Sequence, residues 1–243
     1  MLFRSGAGPI RTRGRGHITK IIRVAIDGPS GAGKSTLARS AAARLNFLYV
    51  DTGAIYRTIG CAVRRRDIDP GDRAAVVAAL PELDIGLTYG ADGLQHMELN
   101  GEDVTAEIRL PEISRYASVV SAYPEVRAYL LEMQRRLARE HSVIMDGRDI
   151  GTVVLPDAEV KVFLTASAEE RARRRMLELQ QRGTPEPYED ILRAIQERDW
   201  NDTHRAAAPL RQAEDAVLLD TTELDFTQSE EALLRIIRER AGL

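Results

Sequence analysis

The amino-acid sequence predicts an α/β fold built on a doubly wound, parallel five-stranded sheet. Five short runs consist almost wholly of apolar, often β-branched residues, which is typical of strands buried on both faces. Stretches with helical spacing separate most of these runs, as the crossovers of a parallel sheet require. A glycine-rich segment joins the first run to the first helix. The sequence therefore favours a sheet whose carboxyl edge binds a ligand.

Strands and helices alternate along most of the chain. The predicted strands are residues 21–27, 47–50, 143–145, 160–164 and 216–220. The predicted helices are residues 34–45, 54–66, 111–140 with an interruption at Pro124, a helix opening at Ser167, 188–204 and 227–240. Ser167 and Glu170 have the spacing of a capping box, which marks the start of an arginine-rich helix.

One segment breaks the βαβ alternation. Residues 84–88 and 94–99 alternate apolar and polar side chains, and the glycine-containing stretch 90–93 lies between them. This pattern predicts an antiparallel hairpin with one solvated face. Asn100 and Gly101 provide a further turn signal. We expect an antiparallel insert within the α/β domain.

Composition limits the possible functions. The chain has 243 residues, 29% of them charged, with a net charge of -3, which argues against a nucleic-acid polymer as partner. The apolar runs are too short to cross a membrane, and the single cysteine, Cys61, excludes an intramolecular disulfide framework. We expect a cytoplasmic monomer. Residues 1–20 are basic and contain no acidic residue, which predicts a disordered tail, with a phosphate-attracting arm as the alternative.

The glycine-rich segment carries a phosphate-binding motif. Residues 28–35 match G-x-x-x-x-G-K-[ST] between a predicted strand and a predicted helix. Backbone N–H groups would surround phosphate oxygens, Lys34 would reach the β- and γ-phosphates, and the Ser35 hydroxyl would bind Mg²⁺. The residues predicted to bind ATP are Gly28, Pro29, Ser30, Gly31, Ala32, Gly33, Lys34, Ser35 and Thr36.

Polar and basic residues follow other predicted strands at the same sheet edge. Residues 51–57, with Thr52 and Arg57, follow the second strand, and residues 146–149, with Arg148 and Asp149, follow the third. Taken alone, these groups also fit a helix N-cap, a solvated helix face and an ordinary charged turn. Taken together, they suit the phosphates of a second substrate, for which arginine is the preferred side chain.

A further basic group lies on the two helices after the fourth strand. Arg198, Asp202 and Arg205 have i, i+4 and i+7 spacing, which predicts one shared helix face. An ion-pair ladder on the surface is the structural alternative. Arg171, Arg174 and Arg175 form a similar set on the preceding helix.

These motifs narrow the class of P-loop protein. Switch GTPases carry an N-K-x-D guanine-reading motif, which this sequence lacks, and nucleic-acid motors usually need a longer chain or visible repeats. Small-molecule kinases are the class that remains. Such enzymes should show a second cluster of arginines for the acceptor, as this sequence does.

The combined motifs resemble those of bacterial cytidylate kinases. The resemblance rests on residues 28–34, 51–57, 146–154, 197–199 and 205–210, and extends from about residue 21 to the last helix. It implies a P-loop domain over residues 21–243, with a CMP-binding insert at about 53–140 and a short helical lid at about 167–205. It also implies transfer of phosphate from ATP, with Mg²⁺, to CMP or dCMP.

The resemblance implies a role for each matching residue. Lys34, Arg148 and Arg198 would be catalytic, and Arg57 and Arg148 would hold the CMP phosphate. Ser118, Arg127 and Asp149 would read cytosine, and Thr52, Arg198, Asp202 and Arg205 would lie around the sugar and the lid. Two positions depart from the family pattern: Thr52 replaces a frequent serine, and Ser35 replaces a frequent glycine.

The implied base contacts have a chemical rationale. A carboxylate such as Asp149 accepts a hydrogen bond from cytosine N4, and a guanidinium such as Arg127 donates to N3 or O2. Uracil would turn an acceptor oxygen toward the carboxylate, which disfavours UMP. A P-loop kinase for another small acceptor (UMP, AMP or shikimate) and a non-catalytic nucleotide-binding switch are the alternatives.

Overall fold

The computed structural model describes residues 20–91 and 93–243, so the predicted tail at residues 1–19 lies outside the described residues. The described chain divides into two compact units. One, the sheet unit, comprises residues 21–50 and 135–243. The other, the insert unit, comprises residues 51–134 together with Lys20.

A five-stranded sheet forms the centre of the sheet unit, in the order β2-β6-β1-β7-β8. The strands are β1 (Arg23–Asp27), β2 (Leu48–Asp51), β6 (Val143–Gly147), β7 (Val160–Thr165) and β8 (Val217–Asp220). β1 pairs in parallel with β6 and β7, and β7 pairs in parallel with β8. Ile26, Ile144 and Leu164 are fully buried, as expected for strands covered on both faces. The predicted doubly wound parallel sheet is confirmed.

Helices and loops connect these strands. The helices are α1 (Lys34–Leu45), α6 (Ala168–Gln181), α7 (Tyr188–His204) and α8 (Phe226–Ala241), with a π-helical turn at Ile150–Val154. β1, β6, β7 and β8 all lead at their carboxyl ends into polar loops at one edge of the sheet. This edge is where parallel sheets bind ligands.

The insert unit combines helices with a small sheet. Its elements are α2 (Thr52–Arg65), α3 (Arg73–Ala79), β3 (Ile85–Tyr89), β4 (Gln95–Leu99), β5 (Glu102–Asp103), α4 (Pro111–Val120) and the first turns of α5 (Pro124–Glu140). β3 and β4 form the predicted antiparallel hairpin, and the two-residue strand β5 adds to β4. α2 and α4 approach closely at Gly60, where a Cβ would lie 2.9 Å from the backbone nitrogen of Ala117.

Two predictions from helical spacing were wrong in detail. α2 begins at Thr52 rather than residue 54, because Asp51 caps it by accepting a hydrogen bond from the Ala54 backbone N–H at 2.9 Å. α7 ends at His204, so Arg205 has extended backbone and does not share a helix face with Arg198 and Asp202. The Arg205 side chain instead donates to the carbonyl of Ala208, in the turn that ends the segment.

No helix in residues 20–91 and 93–243 is both long enough and apolar enough to cross a membrane.

Replacing Gly28 with alanine is expected to lower the free energy of unfolding by at least about 3 kcal/mol. Gly28 has φ +152°, and a Cβ there would lie 1.9 Å from the carbonyl oxygen of Leu164 in the neighbouring strand β7. Gly183→Ala is the control, because Gly183 also has positive φ, +73°, but no atom lies within 4 Å of its added Cβ. Urea unfolding measures both losses of stability. Equal losses would show that the close approach to the Leu164 carbonyl is not the reason for glycine at position 28.

Candidate active site

The glycine-rich segment forms a turn that leads directly into α1. Gly33 is the N-cap of α1 with left-handed backbone, φ 86°, and the first turn of the helix contains no acidic residue. An α-helix leaves its first N–H groups without partners in the helix, and its dipole places partial positive charge at that end. The N-terminus of α1 is therefore suited to bind phosphate.

Lys34 is the buried cation of this turn. Its Nζ donates to the carbonyl of Pro29 at 2.6 Å, and the residue is 5% exposed. Burial and the nearby Arg148 guanidinium hold the pKa of Lys34 well below its ordinary value, and Arg198 acts in the same direction. Asp146 and Asp27 oppose this effect. Three cations thus lie close enough to repel one another, which favours binding of an anion.

Ser35 and Asp146 place two oxygen atoms that can bind a metal ion next to each other. The Ser35 hydroxyl donates to Asp146 Oδ2 at 2.7 Å, and the Tyr49 hydroxyl donates to Asp146 Oδ1 at 3.0 Å. Asp146 is part of the 146–149 stretch, but no role was predicted for it from the sequence. An acidic residue at the end of a buried parallel strand could have indicated a ligand-binding side chain. A hydroxyl and a carboxylate are the hard oxygen ligands that Mg²⁺ prefers, usually alongside substrate phosphates.

Arg148 and Asp149 follow β6 at the same edge. Arg148 Nε donates to Asp202 Oδ2 at 2.7 Å, which joins the loop after β6 to α7. Burial alone would raise the pKa of Asp202, but Arg148, Arg198 and Arg205 together outweigh this effect and the pKa lies below its ordinary value. Arg205 approaches the buried Asp149 at 3.7 Å. The sheet unit therefore brings together Lys34, Ser35, Arg148, Asp149, Asp202 and Arg205 around one sheet edge.

The predicted role of the arginines on α6 needs correction. Arg171 is buried, with hydrogen bonds to the carbonyls of Ala166 and Ser30, and pairs with Asp199 of α7. Arg174 pairs with Glu170, and Arg175 with Glu178. These three arginines are paired within the protein, as in the ion-pair alternative. Arg171 instead joins α6, α7 and the phosphate-binding turn, while closure of a lid remains a prediction.

A cavity of about 480 Å³ opens beside the phosphate-binding turn. Its walls include Thr36 of α1, Arg173 and Arg174 of α6, and Thr222 and Phe226 from the loop after β8 and the start of α8. The ring of Phe226 and the guanidinium groups are suited to stack on a planar base. Sequence analysis named Ala32, Gly33, Thr36 and Arg174 but missed the lining from residues 222–226, because that stretch looks like an ordinary turn before a helix.

In the insert unit, Arg57 is held by the residue that caps its own helix. Asp51 Oδ1 accepts from the Ala54 backbone N–H, and Asp51 Oδ2 accepts from Arg57 Nη2 at 2.8 Å. Thr52 is the first residue of α2 and is buried, so the alternative in which Thr52 is the N-cap was wrong.

In the insert unit, Ser121 connects Ser118 and Arg127 through hydrogen bonds. Arg127 Nη1 donates to the Ser121 carbonyl at 3.1 Å, and the Ser121 hydroxyl donates to the Ser118 carbonyl at 3.0 Å. The Arg127 guanidinium also lies over the Tyr56 ring, 5.4 Å from its centroid. These contacts fix the Arg127 side chain on one side of α2.

A strand, a phosphate-binding turn, a helix and a cluster of arginines define a P-loop phosphotransferase. The chain belongs to the cytidylate kinase family, because the model of that family, described as "Cytidylate kinase", matches residues 24–239. The chain is 51% identical over 218 residues to the cytidylate kinase of Caldicellulosiruptor bescii, covering 90% of this chain and 95% of the relative. The prediction of a nucleotide-binding transferase of this family is confirmed.

A second relative agrees with this assignment, and one solved structure shares the fold. The cytidylate kinase of Carboxydothermus hydrogenoformans is 50% identical over 216 residues, covering 89% of this chain and 97% of the relative. The crystal structure of an uncharacterized protein from Eubacterium ventriosum superposes with a TM-score of 0.50 at 11% identity, covering 89% of this chain and 98% of that one. At that identity the likeness shows the fold alone.

Proposed function

We propose that this protein transfers the γ-phosphoryl group of ATP to CMP or dCMP, giving ADP and CDP or dCDP. Family membership supports this proposal. The structural observation that carries it is the basic cluster at the sheet edge: Lys34 is buried in the phosphate-binding turn, and Arg148, in the loop after β6, is oriented by Asp202 at 2.7 Å. An oxygen-rich, anionic ligand would offset the positive charge of these side chains when it binds.

The donor half of the site explains how ATP is held. The backbone of residues 28–33 and the N-terminus of α1 bind the β- and γ-phosphates, and Lys34 leaves the Pro29 carbonyl to contact them. The base occupies the cavity lined by Thr36, Arg173 and Phe226. Catalysis of phosphoryl transfer consists mainly of positioning and charge stabilisation, which Lys34, Arg148 and Arg198 provide.

Mg²⁺ is part of the proposal. Ser35 and Asp146 would hold the ion together with the nucleotide phosphates, directly or through water. The bound ion would neutralise charge that develops on the phosphate oxygens.

The acceptor half rests on arginines that carboxylates already orient. Arg148 is fixed by Asp202, and Arg57 by Asp51, so each guanidinium is ordered before a phosphate arrives. In the proposed complex both arginines bind the CMP phosphate. Arg127, Ser118 and Asp149 bind cytosine, with Asp149 accepting from N4, and Thr52, Asp202 and Arg205 surround the sugar.

A panel of acceptors tests the proposal. We expect ADP formation from ATP with CMP and dCMP to exceed that with UMP, AMP or shikimate by at least about 100-fold in kcat/KM, since mismatched buried polar groups reject a substrate strongly. Reactions without an acceptor measure ATP hydrolysis. Preference for another acceptor would identify a different kinase, acceptor-independent turnover would identify an ATPase, and no turnover with any acceptor would favour the non-catalytic nucleotide-binding switch.

A further inference from the structure

A short π-helical turn, Ile150–Val154, directly follows Arg148 and Asp149. Such turns are rare, and proteins often use them at functional sites. The Asp149 carbonyl accepts two of the hydrogen bonds that close the turn, from the N–H groups of Val153 and Val154 at 2.9 and 3.2 Å, and the Leu155 N–H donates to the Ile150 carbonyl at 2.7 Å. The conformation of Asp149 and the integrity of the turn are therefore linked.

Asp27 binds the start of this turn. The Ile150 N–H donates to Asp27 Oδ1 and the Gly151 N–H donates to Asp27 Oδ2, both at 2.7 Å. Asp27 is 5% exposed and is the last residue of β1, next to Gly28, where the phosphate-binding turn begins. One carboxylate thus connects the donor-binding turn to the residues that follow Arg148.

Arg135 binds the end of the same turn. Its Nη2 donates to the Val153 carbonyl at 2.9 Å, and its Nε donates to the Val154 carbonyl at 3.0 Å. Carboxylate and guanidinium therefore satisfy opposite ends of the turn, where backbone groups lack partners within it.

The chemistry of Asp27 indicates why a carboxylate stands there. Burial raises the pKa of Asp27 to about 6, although the hydrogen bonds from Gly151 and Ile150 oppose this effect. The buried charge is thus unfavourable in itself. Asparagine has the same shape but only one acceptor oxygen, and its amide N–H₂ would face the second backbone donor. Only the ionised carboxylate accepts from both N–H groups.

We propose that Asp27 and Arg135 are positioning residues that hold the π-helical turn so that Arg148 and Asp149 meet the acceptor nucleotide. The inference rests on the proposed function, since it assigns Arg148 to the acceptor phosphate. Because Asp27 also adjoins Gly28, the same contact sets the position of the acceptor residues relative to the donor phosphates. Small errors in that position are costly, as a displacement of about 1 Å can slow a reaction about 100-fold.

Asp27→Asn tests the first contact. We expect kcat/KM for CMP to fall about 100-fold, while the Kd for ATP changes less than about threefold, because the altered contact supports the acceptor residues. Asp72→Asn is the matched control: Asp72 also accepts a backbone N–H, from Ala75 at 3.0 Å, but caps α3 in the insert unit. Equal losses toward ATP and CMP would overturn the proposal and assign Asp27 to the fold of the phosphate-binding turn.

A double-mutant cycle with Arg148→Ala separates positioning from general destabilisation. If Asp27 acts through Arg148, Asp27→Asn should cost less than about fivefold in the Arg148→Ala background, because coupled residues are not additive. A full 100-fold loss in both backgrounds would contradict the proposal. If Arg148→Ala itself keeps wild-type kinetics toward CMP, the proposed acceptor site is wrong. If Arg148→Ala is impaired and Asp27→Asn is not, only the present inference fails.

Arg135→Lys tests the other end of the turn independently, should Asp27→Asn not fold. Lysine keeps the charge but cannot bridge the carbonyls of Val153 and Val154 in the same way. We expect the same selective loss toward CMP, at least about 10-fold in kcat/KM. Wild-type kinetics in this variant would overturn the role of Arg135.

Discussion

Replacing Lys34 with alanine is expected to reduce kcat about 1000-fold or more. Lys34 is the buried cation of the phosphate-binding turn, and its Nζ donates to the Pro29 carbonyl at 2.6 Å. When ATP binds, this charge stabilises the γ-phosphate oxygens as the bond to the β-phosphate breaks. Alanine removes the charge where the reaction needs it most, so the effect should appear in kcat rather than only in ATP binding.

The fold should survive this substitution. Lys34 is buried with a pKa well below its ordinary value, so its charged form is unfavourable in the unliganded protein. We expect the thermal midpoint to fall by no more than a few degrees, about what 1 kcal/mol produces in a domain of this size. Arg44→Ala on the same helix is the control, since it removes a half-exposed cation paired with Glu230. More than a tenth of wild-type turnover in a folded Lys34→Ala protein would contradict the ATP-site assignment.

Arg148→Ala and Arg57→Ala are each expected to lower kcat/KM for CMP about 100-fold or more, because each removes a charge-assisted contact to the acceptor phosphate. The Kd for ATP should change less than about threefold in Arg57→Ala, and in Arg148→Ala it should change far less than kcat/KM for CMP, since neither side chain belongs to the phosphate-binding turn although Arg148 lies near Lys34. Steady-state kinetics with CMP and equilibrium binding of ATP measure the two effects separately.

A matched control exists on the helix of Arg57. Arg64 lies seven residues further along α2, is half-exposed and pairs with Glu112 at 2.8 Å. Arg64→Ala should leave both CMP and ATP parameters near wild type, because exposed ion pairs contribute little. If ATP affinity falls as much as CMP use in Arg148→Ala or Arg57→Ala, the division of the arginines between donor and acceptor is wrong.

Much of the fold could be predicted from periodicity and turn chemistry. The strands of the sheet are short and buried on both faces, so their sequences are nearly continuous apolar runs that can be recognised directly. The β3–β4 hairpin was predictable because one of its faces is more exposed than the other. β5 was not, since Glu102 and Asp103 are both exposed and carry no alternating pattern.

The site was predictable where a motif fixes backbone geometry, and less so where tertiary contacts decide. Residues 28–35 have the predicted strand–turn–helix context. The sequence groups Arg171 with the other arginines of its helix, and only its contacts with Ser30 and Asp199 show a structural role. Arg205 was assigned to one helix face with Arg198 and Asp202 because its spacing from them is helical, although α7 ends at His204. The π-helical turn after Asp149 depends on Asp27 and Arg135, which are distant in sequence.

The most direct test follows the labelled phosphate itself. The protein is incubated with ATP carrying a label in the γ-phosphate and with CMP, UMP, AMP or shikimate in parallel reactions, and the labelled products are separated and identified. The proposed function predicts one labelled CDP for each ADP formed, with transfer lost in Lys34→Ala. Label that appears only as inorganic phosphate, or that reaches UMP, AMP or shikimate in preference to CMP, would contradict it.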